Sequence, residues 1–289
     1  MDQPYFEILA PAVWRMPVLF SSPHSGRLMP ASFLAQSRLT EQQLRQSEDC
    51  FVDELFLGCL DSGAPLLRCM ASRAYLDLNR EPYELDARMF IESVPGYVNS
   101  ASPRVAAGFG TVPRCVGEGQ EIYRQKLPLS EAFSRIENLY RPYHRVLNDL
   151  LNQSQQRTGL VMLVDCHSMP SQSCNGKPIA DIVLGDRFGT SCSLELVGAV
   201  EVYLRAHGLH VTRNKPYAGA FITSAYGAPQ QGRHALQIEI NRSLYMDERT
   251  LEKTAGFSRL RNLLSGLIDE LALIFQSSAH LYGRRLAAE

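Results

Sequence analysis

The sequence predicts an α/β fold in which a mostly parallel sheet is sandwiched between helices. Apolar runs bounded by turn residues alternate with longer helical patterns along the chain, an order typical of α/β proteins. The run at 160–165 is apolar almost throughout, as expected for a central parallel strand covered on both faces. No repeat or linker-like stretch divides the chain, so we expect one domain over residues 1–289.

The individual elements follow from the local pattern. Thr40 and Gln43 fit a capping box that opens a helix through about residue 60. A second helical pattern is bent or interrupted near Pro142, and Asp247 is expected to cap a C-terminal helix that extends to about residue 275. The predicted strands cover 18–20, 65–70, 74–78, 160–165, 181–184 and 235–240, the remaining helices cover 130–156 and 194–206, and loops cover 82–125.

The composition is that of a globular protein with a core, since 45% of the 289 residues are hydrophobic and 20% are charged. A formal net charge of -1 gives no indication of nucleic acid or an anionic membrane as a partner. Arginine supplies 25 of the 29 basic residues. Its planar fork binds carboxylates and would serve a small acidic substrate, although a general bias toward arginine explains the same count.

Cysteine usage and the chain start predict a cytoplasmic, reduced protein. The cysteines show no CxxC pair and an odd total, which excludes a disulfide framework and a cysteine zinc ribbon. The first residues lack the pattern of a signal peptide, and no window is long and apolar enough to span a bilayer. The cysteines are Cys50, Cys59, Cys69, Cys115, Cys166, Cys174 and Cys192.

Two histidines stand where ligand sites form in parallel α/β sheets, beyond the carboxyl ends of strands. His24 follows the first predicted strand and His167 follows the central one, each flanked by small residues. Each could equally be a hydrogen-bonded loop residue. The other histidines have helical or loop contexts and are interpreted as structural or solvent-exposed; they are His144, His207, His210, His234 and His280.

A catalytic zinc takes three protein ligands and leaves a position for water, so two histidines would need an acid as the third ligand. Glu48 and Asp49 lie in the middle of the predicted helix at 40–60, and the spacing does not choose between them or exclude a solvated face. Glu239, inside an apolar run, is the candidate proton shuttle, because an unpaired buried carboxylate is costly. The alternative is a glutamate on the wet face of an edge strand.

Two further segments place an arginine after a strand. Asn79 and Arg80 form an anion-binding pair, and Arg242 repeats the arrangement after Asn241. A surface ion pair is an equally open interpretation of either arginine.

These motifs resemble the N-formylglutamate amidohydrolase family. The similar segments occur in family order and span about residues 18–250. They are Ser-Pro-His-Ser-Gly at 22–26, Asp-Leu-Asn-Arg at 77–80, Asp-Cys-His-Ser at 165–168, Asp-Ile-Val-Leu-Gly-Asp at 181–186, Gly-Ala-Phe-Ile-Thr at 219–223 leading to Tyr-Gly at 226–227, and Gln-Ile-Glu-Ile-Asn-Arg-Ser-Leu-Tyr-Met at 237–246.

The resemblance implies a three-layer αβα fold of the phosphorylase/hydrolase-like type, related to zinc carboxypeptidases and cell-wall amidases. It implies one zinc ion held by a histidine after an early strand, an acid and a histidine after a central strand. His24 and His167 match the two histidines. Asp49 is preferred over Glu48 as the acid, although Cys50 stands where the family has a bulky residue. Glu239 matches the family's catalytic glutamate.

The implied reaction is hydrolysis of a small anionic N-acyl amino acid, N-formyl-L-glutamate, to formate and L-glutamate in histidine degradation. Asn79 and Arg80 would bind one substrate carboxylate, and Arg242 or Arg213 the other. Zinc would polarise the formyl carbonyl and acidify a water, and Glu239 would carry the proton to the leaving amine.

Three alternatives stay open on the sequence. The same fold could hydrolyse another N-acyl amino acid or a cell-wall amide, although the missing signal peptide disfavours the latter. Cys166 could act as a nucleophile beside His167, although neighbours on a strand point to opposite faces. A binding module could keep the pocket without a metal.

Overall fold

A computed structural model describes residues 4–117, 119–172, 176 and 179–286, with side chains described up to residue 275. Cys174 and the side chain of His280 lie outside the described residues. Among the described helices, none is long and apolar enough to cross a membrane.

A seven-stranded sheet forms the centre of the fold, with helices around it. Its strand order is β1-β3-β2-β6-β9-β7-β8. The strands in chain order are β1 (Phe6–Leu9), β2 (Val18–Ser22), β3 (Leu66–Cys69), β4 (Cys115–Val116), β5 (Gln120–Glu121), β6 (Val161–Met169), β7 (Ile182–Gly185), β8 (Val211–Arg213), β9 (Arg233–Asn241), β10 (Met246–Asp247) and β11 (Glu252–Lys253).

The helices range from single turns to a long C-terminal segment. In chain order they are α1 (Ala31–Gln36), α2 (Glu41–Leu44), α3 (Val52–Leu55), α4 (Cys59–Ser62), α5 (Pro103–Ala106), α6 (Leu129–Arg135), α7 (Arg141–Thr158), α8 (Leu194–Ala206), α9 (Phe221–Tyr226) and α10 (Gly256–Leu286).

The central strand explains the arrangement of the sheet. All nine residues of β6 are buried, and β6 pairs in parallel with β2 on one side and with β9 on the other. β7 runs antiparallel to β9 and parallel to β8. An all-buried strand needs cover on both faces, which helices provide in α/β proteins. The prediction of a mostly parallel α/β sheet is therefore confirmed; the relationship to zinc carboxypeptidases stays an expectation of the resemblance.

The predicted helix at 40–60 is wrong in its continuity. The capping box forms, because Thr40 accepts from the Gln43 amide and the Gln43 side chain accepts from the Thr40 amide. The chain then leaves the helix: Glu48 is extended, and Phe51 has a left-handed φ of 64°. The apolar pattern continued across this break because the helices on both sides of it bury side chains.

Two other boundaries differ from the expectation. Residues 74–78 form turns rather than a strand, because amides of this segment bond back to Ser72. The helical pattern at 130–156, in contrast, is interrupted near Pro142 as expected, at a π-helical turn over Ile136–Tyr140. Asp247 caps a turn by accepting from the amides of residues 249 and 250, and the C-terminal helix begins only at Gly256.

The chain groups into two compact units. Unit 1 comprises 1–7, 23–50 and 68–146, and unit 2 comprises 8–22, 51–67 and 147–289. Unit 2 contains β2 and β6 to β9, with the long helices α8 and α10. Unit 1 contains short helices and loops, with the buried Arg135 stacked on Tyr75 at 4.3 Å and bonded to the hydroxyl of Tyr123.

Candidate metal centre and its surroundings

His24 stands in the loop that leaves β2, and the fold leaves its side chain only 1% exposed. Its Nε2 lies 2.8 Å from Oδ1 of Asp77, and its Nδ1 lies 3.5 Å from Oδ2 of Asp49. A carboxylate on one ring nitrogen fixes the orientation of the imidazole and directs the other nitrogen. Nδ1 is therefore the nitrogen of His24 that is available to a cation.

Gly26, in the same loop, is required for a steric reason. A Cβ added at Gly26 would lie 2.3 Å from the carbonyl carbon of Met70 and 2.4 Å from the oxygen of Ala71. Backbone atoms cannot move aside as flexible side chains do, so only glycine fits this close approach. Gly26 thereby holds the histidine loop against the chain at 70–72, where it forms a parallel bridge with Ser72.

Asp49 and Glu48 are both 1% exposed, so the interpretation as a solvated helix face is wrong. They occupy the break after α2, where the Asp49 amide donates to the His24 carbonyl. Glu48 accepts from Nε of Arg27 at 3.0 Å and from Nε of Arg45 at 2.8 Å. Because both oxygens of Glu48 face arginines, Asp49 is the acid of this pair that is directed to His24.

Asp77 forms a turn that carries the Asp-Leu-Asn-Arg motif. Its Oδ1 also accepts from the Asn79 amide at 2.8 Å, and its Oδ2 accepts from Nε of Arg73 at 3.1 Å. Burial opposes ionisation of this carboxyl, but Arg73, Arg80 and His24 outweigh it and hold the pKa of Asp77 well below its usual range. The His24 ring therefore faces a carboxylate.

Arg80 is fixed by backbone carbonyls. Its Nε donates to Phe109 at 2.9 Å and its Nη1 to Asn79 at 2.8 Å, while Nη2 lies 3.4 Å from Asp77. Burial lowers the pKa of Arg80. The guanidinium keeps N–H donors beyond these contacts, so it can still bind an anion.

Two further side chains contact the same motif, one from the last residue of the π-helical turn and one from α7. The Tyr140 hydroxyl donates to the Arg80 carbonyl at 2.6 Å, and His144 Nε2 lies 2.9 Å from the Leu78 carbonyl. The two rings pack with centroids 4.2 Å apart. These contacts flank Asn79 on both sides and fix the path of the turn. His144 is structural, as the sequence indicated.

In unit 2, the functional candidates lie on one face of adjacent strands. The sequence placed His167 after its strand, but β6 continues to Met169 because β9 pairs along its whole length, with His167 opposite Glu239. Side chains alternate along a strand, so Asp165 shares the face of His167, and its Oδ2 lies 3.0 Å from His167 Nε2. This second histidine therefore also faces a carboxylate.

Glu239 lies in β9 between β6 and β7 and is 7% exposed, so it is not on the wet face of an edge strand. The side-chain amide of Gln237 donates to its Oε1 at 2.7 Å. The side chain of Glu239 lies on the same sheet face as His167, because the two residues are register partners in parallel strands.

The remaining arginines have different surroundings. Arg242 begins the 3-10 turn after β9, is buried, and donates from Nε to Ser168 Oγ at 3.1 Å. Arg213 lies on the edge strand β8 and is ion-paired with Glu201 at 2.5 Å. Burial raises the pKa of Glu201, but Arg213 and Arg205 outweigh this and lower it. The Arg213 guanidinium is thus already ion-paired with a carboxylate of the chain.

The structure brings His24, Asp49 and His167 together as a group that could hold a metal ion. All three are buried, and their ligand atoms lie within 4.8 Å of one another. Two imidazoles and one carboxylate match the ligand set of a catalytic metal site that keeps a position for water. A carboxylate faces each imidazole, from Asp77 and from Asp165, which is the usual support of metal-binding histidines.

Cys166 lies on the opposite sheet face from His167. Its side chain is fully buried, and burial, reinforced by the Asp165 charge, raises the pKa of its thiol well above the usual value. A thiol of this kind is inert.

Sequence reasoning missed the supporting side chains Asp77, Asp165, Gln237 and Tyr140. Two of them carry a local signal, because Asp165 and Gln237 stand two residues before His167 and Glu239, the spacing that puts side chains on one face of a strand. Asp77 and Tyr140 act over long sequence separations and carry no such signal.

An α/β protein with a buried His–Asp–His group that could bind one metal ion is the class that the fold and the site define. The chain belongs to the N-formylglutamate amidohydrolase family, whose model matches residues 16–246.

Individual relatives agree with this assignment. The chain is 29% identical over 250 residues to an N-formylglutamate deformylase of Pseudomonas aeruginosa, covering 84% of this chain and 87% of the relative. It is 29% identical over 240 residues to an N-formylglutamate deformylase of Pseudomonas putida, covering 81% and 83%. The crystal structure of an N-formylglutamate amidohydrolase from Ralstonia eutropha superposes with a TM-score of 0.89 at 35% identity, covering 96% of this chain and 100% of that chain. The protein is a hydrolytic enzyme that acts on an amide.

Proposed function

We propose that the chain is a zinc-dependent deformylase that hydrolyses N-formyl-L-glutamate to formate and L-glutamate, a step of histidine degradation. The observation that carries the proposal is the buried group of His24, Asp49 and His167 in a chain whose family and curated relatives are named for this substrate. Residues 1–289 are assigned to one catalytic domain.

Zinc suits the donor set of His24, Asp49 and His167. Imidazole nitrogen is a preferred ligand of zinc, whereas magnesium and calcium favour sites made of oxygen ligands. When bound there, zinc supplies a Lewis acid that polarises the scissile carbonyl and makes the attacking water more acidic.

The substrate carries two carboxylates, and buried arginines supply complementary charge. Arg80, with the side chain of Asn79, binds one carboxylate, since its contacts to backbone carbonyls hold the guanidinium in place and leave donors over. Arg242 binds the other. Arg213 receives no role, because Glu201 already neutralises it. Arginine forks hold a planar carboxylate in a defined orientation, which lowers the entropic cost of reaching the transition state.

Glu239 moves the proton. It takes a proton from the attacking water and delivers it to the departing amine nitrogen, so that the C–N bond breaks and formic acid and a neutral amine form. The proton of the acid then passes to the more basic amine, which gives formate and L-glutamate with a protonated amine. The Gln237 amide orients Oε1 of Glu239, and the register pairing places the carboxylate on the sheet face of His167.

Glu239→Gln tests the proton role. Glutamine keeps the shape and still accepts from Gln237, so the metal content should be unchanged while kcat falls by about 10²- to 10⁴-fold. Glu248→Gln is the matched control, since Glu248 is a half-buried glutamate that accepts from the Ser171 amide, and it should retain wild-type kcat. A Glu239→Gln enzyme with normal turnover would remove Glu239 from the mechanism.

Metal and substrate are tested together by elemental analysis and a formate-release assay. We expect one zinc per chain, loss of activity on exhaustive chelation and recovery with zinc. Full activity of the chelated enzyme would refute the metal chemistry. In a parallel panel, N-formyl-L-glutamate should be turned over faster than N-acetyl-L-glutamate, N-formyl-norvaline or a cell-wall muropeptide. A faster rate on any of the other amides would refute the substrate assignment while leaving the metal result intact.

A further inference from the structure

A cationic cavity lies in unit 1 and shares no residue with the candidate metal centre. Its volume is about 330 Å³, which is within the range of small-molecule sites. Five cationic side chains line it, against the single carboxylate of Glu121. The cationic residues are Arg38, Arg88, Arg114, Arg124 and Lys126.

Two of these arginines are held by a reciprocal exchange between two chain segments. Residue 37 forms an antiparallel bridge with residue 123. Across it, Arg38 Nε donates to the Tyr123 carbonyl at 2.9 Å, and Arg124 Nε donates to the Ser37 carbonyl at 2.9 Å. Each guanidinium is therefore anchored through Nε. Arg124 keeps its terminal N–H groups for a ligand, whereas Arg38 has one terminal nitrogen near Glu121. An anchored fork loses less rotamer entropy when it binds an anion.

The other side of the cavity is built on shared carboxylates. Asp86 accepts from Arg88 at 2.7 Å and from Arg114 at 2.9 Å, and Glu121 pairs with Arg114 at 3.1 Å and with Arg38 at 3.5 Å. The five cationic groups are thus balanced by only two carboxylates, those of Asp86 and Glu121, so the cavity and its ion-pair partners carry a net charge of +3. Among the described residues, Arg124 and Lys126 take part in no ion pair with a carboxylate.

We propose that this cavity binds a small polyvalent oxyanion, a multiply charged carboxylate or phosphate, at a site separate from the catalytic one. Several converging cations with a fixed geometry bind such an anion through charge-assisted hydrogen bonds, whereas a monovalent anion engages only part of the set. This site goes beyond the proposed deformylase activity, and its existence does not depend on that activity.

Calorimetric titration of the metal-loaded enzyme at low ionic strength tests the site. The probes are inorganic phosphate and tricarballylate, a tricarboxylate that lacks the hydroxyl with which citrate chelates metals. We expect saturable binding of at least one probe, weakened by added sodium chloride because salt screens exposed charges. Binding of phosphate alone identifies a phosphate site, and binding of tricarballylate alone identifies a carboxylate site.

Charge-removing variants assign the binding to this cavity. Lys126 is exposed and makes no side-chain hydrogen bond to the described part of the chain, so Lys126→Gln removes one charge alone. The double variant with Arg124→Gln removes two charges. The affinity should fall about threefold to tenfold in the single variant and more than tenfold in the double variant. Arg104→Gln is the matched control, since Arg104 is an exposed arginine of the same unit beside Glu84 and does not line the cavity; the affinity of this variant should match the wild type.

Two kinds of result would refute the proposed anion site. Absence of saturable binding of both probes to the wild-type enzyme refutes the site. An unchanged affinity in Lys126→Gln and in the double variant, or an equal loss in Arg104→Gln, shows that any binding belongs elsewhere. Thermal unfolding of each variant verifies that it is folded, and Lys126→Gln decides the question if the double variant fails to fold.

Discussion

The two candidate metal-binding histidines have the same chemical surroundings, but the chain builds them in different ways. In both cases Nε2 faces a buried carboxylate, at 2.8 Å for His24 with Asp77 and at 3.0 Å for His167 with Asp165. Asp165 and His167 are two residues apart on one strand, whereas His24 and Asp77 are 53 residues apart and belong to loops. The first pair follows from strand alternation, and the second exists only because two loops pack together.

The supports of the two carboxylates differ accordingly. Asp165 is carried by β6, whose position is set by strands on both sides. Asp77 sits in a turn and depends on Arg73, on the Asn79 amide and on the histidine itself. Strand pairing therefore holds the Asp165 side of the centre, whereas hydrogen bonds and ion pairs hold the Asp77 side.

The largest effect is expected when either candidate histidine ligand is removed, which tests whether His24 and His167 bind the same ion. His24→Ala and His167→Ala should each remove the bound metal and lower formate release by at least about a thousandfold, since a catalytic metal contributes several kcal/mol to the transition state. Metal content by elemental analysis is the primary measurement. His207→Ala is the control, because His207 is an exposed residue at the end of α8. Full metal content in either ligand variant would show that the two histidines do not share an ion.

The next test compares the contributions of the Asp77 and Asp165 carboxylates to metal binding. Asp77→Asn and Asp165→Asn should each weaken metal binding about 10- to 100-fold, the usual cost of losing the partner of a metal-binding histidine. We expect the larger loss for Asp77→Asn, because this change also uncouples Arg73 and Arg80 from their shared carboxylate. Competition titrations against a chromogenic chelator measure both. A larger loss in Asp165→Asn would reverse our view of which side of the centre is more fragile.

A smaller effect is expected at the turn that follows Asp77. Tyr140→Phe removes the donor to the Arg80 carbonyl, a hydrogen bond worth about 0.5–1.5 kcal/mol. If this bond positions Arg80, KM for N-formyl-L-glutamate should rise about twofold to tenfold with little change in kcat.

Tyr203→Phe is the control for this change, since the Tyr203 hydroxyl donates to the Leu263 carbonyl in unit 2 and should leave KM unaltered. A fall in kcat without a change in KM for Tyr140→Phe would mean that Tyr140 acts on the reacting centre instead.

The smallest effect concerns a histidine that faces no carboxylate at hydrogen-bonding distance in the described chain. His234 accepts the Ser193 amide at Nδ1, and burial lowers its pKa below the usual 6.5, with Glu195 opposing this slightly. The unfolded chain therefore binds this proton more readily. The stabilisation that neutral His234 contributes is complete above pH 6.5, the ordinary pKa of histidine. It is lost as the pH falls through the lower pKa of the folded state.

His234→Asn keeps an acceptor at the δ position and removes the titration. Urea unfolding at about pH 7.5 and about pH 5.5 should then show a smaller loss of stability on acidification in the variant than in the wild type. An equal loss in both proteins would show that His234 does not contribute to the acid sensitivity.

Part of the candidate site could be predicted from local sequence. His24, His167 and Glu239 were found because each lies in or directly after a buried apolar run, and such runs mark strands whose ends carry ligand sites. The choice between Glu48 and Asp49 could not be made in the same way. It depends on Arg27 and Arg45, which neutralise Glu48, and on a break in the helix that the apolar pattern hides.

The mostly parallel sheet and the identity of the central strand could be predicted from the sequence alone, because apolar runs are a property of neighbouring residues. The placement of Asp165 beside His167 also required that β6 extend to Met169 along β9. Three contacts depend on how distant segments pack: Asp77 orients His24, Tyr140 supports the turn at Arg80, and Arg213 is ion-paired with Glu201. Loops carry no periodicity, so contacts between distant loops follow from the packing of the whole chain rather than from any local pattern.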